Sequence, residues 1–220
     1  MSRVSVVVPV YRNAATLPAL VDRLGAALSG HNWRVRFVVD ACPAGSAEVA
    51  SSLVGPRVGV TVLPVNGGQH AALRRGLADE PDADAWVCMD ADLQDPPEAV
   101  PLLLDRLERG DVEAVFAGRR GAYESRARRL TGGLHRRVAA RLTGLPPDAG
   151  AFFALGPAVR SAVMGASDAP SVVLAVGLAR RPVTSVPVER DLRPEGRSAW
   201  TTRARLEQSA RSLGWALRHR

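Results

Sequence analysis

Lysine is absent from this 220-residue chain, cysteine and aromatic residues are scarce, and no long hydrophobic run occurs. The two cysteines, Cys42 and Cys88, are too few for a disulfide framework, which favours a cytoplasmic protein with reduced thiols. Aromatic residues make up 5% of the sequence and no base-stacking motif is present, which argues against nucleic-acid binding. No segment reaches the roughly 18 apolar residues of a membrane span, and the first residues lack the layout of a signal peptide.

All 29 basic side chains are arginines, and the formal net charge is +7. The planar guanidinium group binds phosphate through two parallel hydrogen bonds, so this composition fits phosphorylated substrates or an anionic membrane surface. A coding bias toward GC-rich codons also produces arginine without lysine. The composition alone therefore leaves both explanations open.

Apolar runs with strand character alternate with amphipathic segments along the first half of the chain. The predicted strands are Arg3–Val10, Val35–Val39, Val58–Val65, Ala85–Met89 and Val112–Ala117. The predicted helices are Ala14–Leu28, Glu48–Leu53, Gln69–Ala78 and Pro97–Arg109. This alternation implies right-handed crossovers and predicts the α/β class: a mostly parallel, Rossmann-like sheet flanked by helices in a single domain.

The pattern is weaker after Gly118. An arginine-rich stretch, Arg119–Arg141, is either helical substrate-binding surface or a solvated helix face. Two apolar runs, Ser171–Leu178 and Pro182–Val188, are predicted as strands. The last segment, Trp200–Arg220, has the pattern of a basic amphipathic helix. Such a helix lies on an anionic bilayer or docks on the protein's own core, so we expect a cytoplasmic location, with or without peripheral contact at the cytoplasmic membrane face.

Polar residues follow four of the predicted strands. Ligands of parallel sheets bind beyond the carboxyl ends of the strands, at an edge that we call the carboxyl rim. The loops expected there are Pro9–Asn13, Asp40, Asn66–Gln69 and Asp90–Gln94. Four separate loops thus deliver polar side chains to the same crevice.

Asp90 and Asp92 end the fourth predicted strand. Residues two apart in a strand share a face, and hard carboxylate oxygens suit a divalent cation that also holds phosphate oxygens. A bare Asp-x-Asp serves equally well to start a helix, with Asp92 as the cap. The following Gln94 and the three other loops favour a site for a metal ion and a diphosphate.

These residues carry a resemblance to a known family. The segment Met89–Glu98 (Met-Asp-Ala-Asp-Leu-Gln-Asp-Pro-Pro-Glu) is its most specific part. Supporting segments are Val6–Tyr11, Val38–Asp40, Asn66–Leu73, Phe152–Leu155 and Arg193–Ser198. The chain resembles family 2 glycosyltransferases of the GT-A fold, and among them the polyprenyl-phosphate branch of the dolichol-phosphate mannose synthase type.

The resemblance implies an inverting, metal-dependent enzyme that moves a mannose- or glucose-type sugar from a GDP- or UDP-sugar to a polyprenyl phosphate. It implies nucleotide-sugar contacts by Pro9, Tyr11, Asp40, Asn66, Gly68, Gln69, Asp90, Ala91, Arg193 and Ser198. It implies Mg²⁺ or Mn²⁺ ligation by Asp90, Asp92 and Gln94. It implies contacts to the acceptor phosphate by Arg119, Arg128, Arg129 and Thr131. The residues expected to be catalytic are Asp92, Arg119 and Arg193.

The resemblance also divides the single domain. Residues 1–118 are expected to form the nucleotide-sugar-binding half, 119–200 the acceptor-binding half, and 200–220 the basic amphipathic C-terminal helix.

Departures from the family pattern keep two alternatives open. The second strand ends in a single Asp40 followed by Ala41-Cys42-Pro43, which leaves the choice of nucleotide base and the acceptor open. Ala151 stands where many relatives have an aspartate, which argues against a hydroxyl acceptor that needs a base there, although Asp148 is close in sequence. One alternative is a soluble family 2 transferase that glycosylates the hydroxyl group of a small molecule. The other is a non-catalytic nucleotide-sugar-binding partner subunit.

Overall fold

A seven-stranded sheet organises the chain. The computed structural model describes residues 3–120, 140, 143–190, 214–215 and 218. The strands are β1 (Arg3–Val10), β2 (Asn32–Asp40), β3 (Val58–Leu63), β4 (Ala85–Cys88), β5 (Ala114–Arg120), β6 (Phe153–Leu155) and β7 (Val183–Glu189). Their order across the sheet is β3-β2-β1-β4-β6-β5-β7. Only β6 is antiparallel to its neighbours, so the predicted mostly parallel α/β sheet is confirmed.

Helices cover both faces of the sheet. They are α1 (Leu17–Ala27), α2 (Ser46–Ser52), α3 (Gln69–Asp79), α4 (Val100–Glu108), α5 (Pro157–Gly165) and α6 (Val172–Leu178). Single 3₁₀ turns at Ala14–Thr16 and Pro97–Ala99 lead into α1 and α4. Residues of α1, α2 and α4 share one hydrophobic cluster, whereas those of α3, α5 and α6 share the other.

Burial on both faces of the sheet explains why the sequence of β1 is a continuous apolar run. Val4, Val6, Val8 and Val10 belong to the first cluster, and Val7 belongs to the second. All five side chains are at most 1% exposed. A parallel strand buried on both faces needs apolar residues at every position rather than at alternate ones.

The predicted elements of the first half are confirmed within a few residues, but one prediction in the second half is wrong. The run Ser171–Leu178 forms the helix α6 rather than a strand, and α5 was not predicted. A short apolar run rich in valine does not distinguish a buried strand from a buried helix by periodicity. Here Gly177 allows close helix packing, since a Cβ atom there would lie 2.8 Å from Thr143 Cβ.

The strand β6 runs against β4 and β5. Cys88 and Phe116 both pair with Phe153, the first residue of β6. The chain therefore enters β6 from the carboxyl rim, and residues just before Phe153 lie beside the ends of β4 and β5.

Much of the arginine-rich stretch Arg119–Arg141 and of the C-terminal segment lies outside the described residues. Within the C-terminal segment, the Trp215 side chain is 5% exposed and its Nε1 donates a hydrogen bond to Asp168 Oδ2 at 2.7 Å. Trp215 is thus docked on the protein's own core. In the described part of the chain, no helix is long and apolar enough to cross a membrane.

Gly76 lets α3 pack closely on the sheet. A Cβ atom at this position would overlap Val7 Cγ1 and lie 3.0 Å from Val38 Cγ2.

We expect Gly76→Ala to lower the free energy of unfolding in urea, because about 1–3 kcal/mol of overpacking exceeds the roughly 1 kcal/mol gain in helix propensity. Gly25→Ala in α1 is the matched control, since its Cβ would meet only Trp33 Cζ2 at 3.8 Å. Gly25→Ala should be stabilising, and equal gains in both variants would contradict the packing.

His70 lies in the first turn of α3, and its Nδ1 is buried without a hydrogen-bond partner among the described residues. Burial and the nearby Arg74 guanidinium lower the pKa of His70 to about 4. The unfolded chain, with a histidine pKa of about 6.5, therefore binds more protons between these two values, and the folded state loses stability as the pH falls through this window.

We expect wild type to lose about 2 kcal/mol more free energy of unfolding than His70→Gln between pH 7 and pH 4.5. Urea unfolding of both proteins at the two pH values measures this difference. Parallel pH profiles would show that His70 is not buried as a neutral group.

Candidate active site

Asp40, at the end of β2, holds the loop between β3 and α3. Its Oδ1 accepts a hydrogen bond from the Gly67 N–H at 2.7 Å and its Oδ2 accepts one from the Gly68 N–H at 2.8 Å. Asn66 Nδ2 donates to the Asp40 carbonyl at 3.1 Å. Gly68 has φ +81°, a backbone conformation that favours glycine. The Asp40 carboxylate thus sets the conformation of the neighbouring loop, and its predicted contact to the nucleoside stays a prediction.

Gln69 joins this loop to the end of β4. Its Nε2 donates a hydrogen bond to Asp90 Oδ1 at 2.5 Å. Because Gln69 is the first residue of α3, the bond fixes the start of that helix against the Asp-x-Asp motif. Two of the predicted rim loops therefore meet through their side chains.

The turn that contains Asp90 and Asp92 folds back on itself. The Gln94 N–H donates to Asp92 Oδ1 at 3.1 Å, and the Thr16 hydroxyl donates to the Ala91 carbonyl at 2.6 Å. Between them Leu93 has φ +60° while its side chain is only 8% exposed. A leucine rarely adopts this conformation, and such residues cluster where the surrounding structure enforces a functional geometry.

The loops after β1 and β2 also meet. The Arg12 N–H donates to Cys42 Sγ at 3.1 Å, and Cys42 Sγ lies 3.4 Å from Ser46 Oγ. Burial acts to raise the pKa of the Cys42 thiol, but the hydrogen bonds from Ser46 and from backbone amides outweigh it and lower the pKa. Positive φ angles at Arg12 and Ala41 turn both loops sharply after their strands.

Arg190 and Asp95 bring a buried ion pair to the same place. Arg190 follows β7, and its Nε and Nη2 donate to Asp95 Oδ1 at 2.8 and 2.6 Å. The side chains are 9% and 2% exposed. Asp95 Oδ2 accepts a hydrogen bond from the Asp90 N–H at 3.2 Å, and Arg190 Nη2 lies 3.7 Å from Asp90 Oδ2.

The donor chemistry at the end of β4 suits a hard divalent cation that is shared with a ligand. Asp90 has a side-chain exposure of 26% and Asp92 is 8% exposed, so Asp90 is the more open carboxylate. Among the described residues, no group of three or more His, Cys, Asp or Glu side chains is arranged to hold a metal ion. Mg²⁺ is commonly held by one or two carboxylates together with substrate phosphates and water, and two carboxylates fit that mode.

Asp148 places another carboxylate at the rim. A Cβ atom at Gly118, near the end of β5, would overlap Asp148 Oδ2. Asp148 Oδ1 is buried and has no hydrogen-bond partner among the residues that the structure describes. A buried carboxylate oxygen of this kind is costly unless a ligand or another group contacts it.

The structure brings most of the predicted site residues to the carboxyl rim. Those in its loops are Tyr11, Asn66, Gly68, Asp90, Ala91, Asp92 and Gln94, while Asp40 ends β2 and Gln69 begins α3. Pro9 lies in β1, one residue before the strand ends, and Arg119 lies in β5. The remaining predicted residues, Arg128, Arg129, Thr131, Arg193 and Ser198, lie outside the described part of the chain.

The sequence did not indicate Thr16, Cys42 or Asp95 as parts of the site, nor the pairing of Asp95 with Arg190. Asp95 stands in the motif itself, directly before two prolines, which marks it as a turn residue. No sequence signal connects it to an arginine 95 positions away.

Comparisons with known proteins identify the family of this chain. The family model described as Glycosyl transferase family 2 matches residues 5–154. The undecaprenyl-phosphate 4-deoxy-4-formamido-L-arabinose transferase of Aeromonas hydrophila is 35% identical over 147 residues, which are 64% of this chain and 44% of that protein. The corresponding Salmonella paratyphi A protein is 32% identical over 149 residues, 66% of this chain and 45% of that protein. The chain thus spans less than half the length of these curated relatives.

A solved structure shares the fold. Glucosyl-3-phosphoglycerate synthase from Mycobacterium tuberculosis, in complex with Mn²⁺ and UDP-glucose, superposes with a TM-score of 0.72 at 20% sequence identity, over 99% of this chain and 79% of that one. This likeness confirms the predicted GT-A fold. The family match over residues 5–154 confirms the resemblance that the motifs indicated, and the chain belongs to glycosyl transferase family 2.

Proposed function

We propose that this chain is a metal-dependent glycosyltransferase that moves a sugar from a nucleotide sugar to a polyprenyl phosphate with inversion at the anomeric carbon. One observation carries the proposal: Asp90 and Asp92 lie together at the carboxyl rim, where Gln69 bonds to Asp90 and Arg190 lies 3.7 Å from it, and carboxylates beside a guanidinium group suit a metal ion that is bound with a diphosphate. The matched relatives are named as undecaprenyl-phosphate sugar transferases, which supports the acceptor class.

In this proposal Asp90, Asp92 and Gln94 would hold Mg²⁺ or Mn²⁺ against the donor diphosphate. When bound there, such an ion would supply Lewis-acid stabilisation of the negative charge on the leaving nucleoside diphosphate. Gln69 orients the Asp90 carboxylate by its hydrogen bond, and Arg190 adds positive charge on the other side of it. Electrostatic groups held in place before the reaction need no reorganisation during it.

We further propose that the contacts implied by the family resemblance complete the site. Asp40 and Tyr11 would face the nucleoside of a GDP- or UDP-sugar. Arg119, Arg128, Arg129 and Thr131 would receive the acceptor phosphate, and Arg193 and Ser198 the donor phosphates. These are proposals from the motifs, since the side chains of these last six residues are not described.

A phosphate acceptor determines the chemistry of the transfer. Its oxygen is already ionised at neutral pH, so attack on the anomeric carbon needs no general base. The new bond joins a phosphate oxygen to the anomeric carbon, and the bond from that carbon to the diphosphate breaks with its electrons. Positioning of the two substrates in line is then the main task of the protein. The alanine at position 151, where many relatives have an aspartate, fits an acceptor that needs no base.

A hydroxyl acceptor is the second candidate, and Asp148 favours it. A hydroxyl group has to lose its proton to a base during the attack, and a carboxylate beside the acceptor is the usual base. Asp148 lies against Gly118 at the rim, with one oxygen buried and unpaired among the described residues. The enzyme would then act on a small metabolite or a saccharide.

A polyprenyl acceptor also implies a place in the cell. Its phosphate lies at a bilayer surface, so we propose a cytoplasmic protein that contacts the cytoplasmic membrane face peripherally. The arginine-rich stretch supplies positive charge for such contact, at about 1 kcal/mol per arginine near an anionic surface. Trp215 does not contribute an apolar contact to lipid, because it is buried on the protein's core.

The purified chain should consume a UDP- or GDP-sugar in the presence of Mn²⁺ and a short-chain polyprenyl phosphate. Asp92→Asn should lower the rate by at least about a hundredfold, because one of two charged ligands is lost. Asp82→Asn, an exposed aspartate far from the motif, is the matched control and should keep the wild-type rate. Product formation is followed by release of the nucleoside diphosphate and by mass spectrometry of the lipid.

Asp148→Asn separates the two acceptor classes. With a phosphate acceptor the variant should stay within a few-fold of wild type, whereas a hydroxyl acceptor predicts a loss of about 10²–10⁴. Transfer to polar hydroxyl acceptors without transfer to lipid phosphate would overturn the first proposal. Binding of the nucleotide sugar with no turnover on any acceptor would indicate a non-catalytic subunit.

A further inference from the structure

Among the described residues, Asp95 and Arg190 form the most buried ion pair of the carboxyl rim. Both guanidinium nitrogens that reach Asp95 contact the same oxygen, Oδ1, at 2.8 and 2.6 Å. Removing two charges from water is costly, and such a pair is often no more stabilising than apolar residues of similar volume. Stability alone therefore gives a weak reason for an ion pair at this position.

The pair is connected to the Asp-x-Asp motif through both partners. Asp95 Oδ2 accepts the hydrogen bond from the Asp90 N–H, and Arg190 Nη2 lies 3.7 Å from Asp90 Oδ2. Burial acts to lower the pKa of Arg190, but the carboxylates of Asp95, Asp90 and Asp92 outweigh it and raise the pKa. The guanidinium group is thus electrostatically coupled to three carboxylates, two of which are proposed metal ligands.

A fixed cation beside Asp90 opposes a second cation at the same carboxylate. Two positive groups that share one carboxylate repel each other, and the repulsion is strong where water is largely excluded. A nucleoside diphosphate changes this balance, because its negative oxygens attract both the metal ion and the arginine fork. The local charge therefore favours a metal ion that arrives with the diphosphate over a metal ion alone.

We propose that Arg190 acts as an internal counter-cation that keeps the affinity of the Asp90–Asp92 site for free divalent metal low until a nucleoside diphosphate is present, and that Asp95 is the positioning residue that holds Arg190 there. The inference rests on the metal site of the proposed function. It assigns to this chain a binding order in which nucleotide and metal ion stabilise each other.

The proposal predicts opposite signs for two substitutions at one ion pair. Arg190→Gln removes the opposing cation and leaves the Asp95 carboxylate, so Mn²⁺ alone should bind more tightly. Asp95→Asn leaves Arg190 without its main counter-charge, so Mn²⁺ alone should bind more weakly. The double variant Asp95→Asn/Arg190→Gln restores the net charge and should bind Mn²⁺ nearly as wild type does. A pair that only packs the loop predicts weaker binding in both single variants.

The test is a titration of the purified full chain with Mn²⁺, in which electron paramagnetic resonance measures the free ion. One unit charge a few ångströms away changes the binding of a divalent ion by at least about tenfold at an effective dielectric constant near 20, so we expect shifts of that size in each direction. Arg190→Lys, which keeps the charge, should stay within about threefold of wild type. Circular dichroism and a thermal melt identify any variant that does not fold.

A second titration with saturating UDP or GDP measures the coupling between nucleotide and metal. The nucleotide should strengthen Mn²⁺ binding by a larger factor in wild type than in Arg190→Gln. Single variants that both weaken Mn²⁺ binding, or an equal nucleotide effect in both proteins, would overturn the inference while leaving the metal site in place. If Mn²⁺ does not bind wild type even with nucleotide, the proposed metal site itself is wrong, and the inference falls with it. If one single variant does not fold, the other still tests the sign of its shift in Mn²⁺ affinity, with the charge-neutral double variant as its reference.

Discussion

The Asp90 carboxylate accepts a hydrogen bond from Gln69 at 2.5 Å and faces Arg190 at 3.7 Å, while its backbone N–H is held by Asp95. These contacts join the start of α3, the end of β7 and the turn after β4, which are distant in sequence. The Asp40 carboxylate joins the end of β2 to the neighbouring loop by accepting hydrogen bonds from two backbone amides of that loop. The carboxyl rim is therefore held by charged side chains that bind backbone and side-chain donors. This arrangement requires a rigid sheet beneath it.

The sheet supplies this rigidity because both of its faces are buried. In β1 the side chains alternate between two separate hydrophobic clusters, and the helices on each face are packed by leucine and valine side chains. Interiors of this kind are close-packed and resist changes of even one methyl group. The ends of β1, β2 and β4 consequently keep fixed positions relative to one another, which loops alone would not provide.

The sequence predicts the parallel half of the fold well. Strands buried on both faces appear in it as continuous apolar runs, and the helices between them appear as amphipathic segments. It also predicts that Asp90 and Asp92 lie at the carboxyl rim, since carboxylates at a strand end are a local signal, and their role as metal ligands stays a prediction. It does not predict α6, because Val172–Leu178 has the composition of a strand. Its helical form depends on packing against residues distant in sequence, such as the close approach of Gly177 to Thr143. Nor does it predict the pairing of Asp95 with Arg190, because that contact depends on how the last strand docks beside β5.

The antiparallel direction of β6 has a consequence for how the two walls of the crevice are built. Because β6 descends from the carboxyl rim between β4 and β5, the segment that leads into it reaches the rim without passing through the four-stranded parallel part of the sheet. This segment forms one wall of the crevice and is separate in sequence from the loops around Asp40 and Asp90. The two walls are thus built from separate segments, so the wall beside β6 is able to change while the loops around Asp40 and Asp90 keep their contacts.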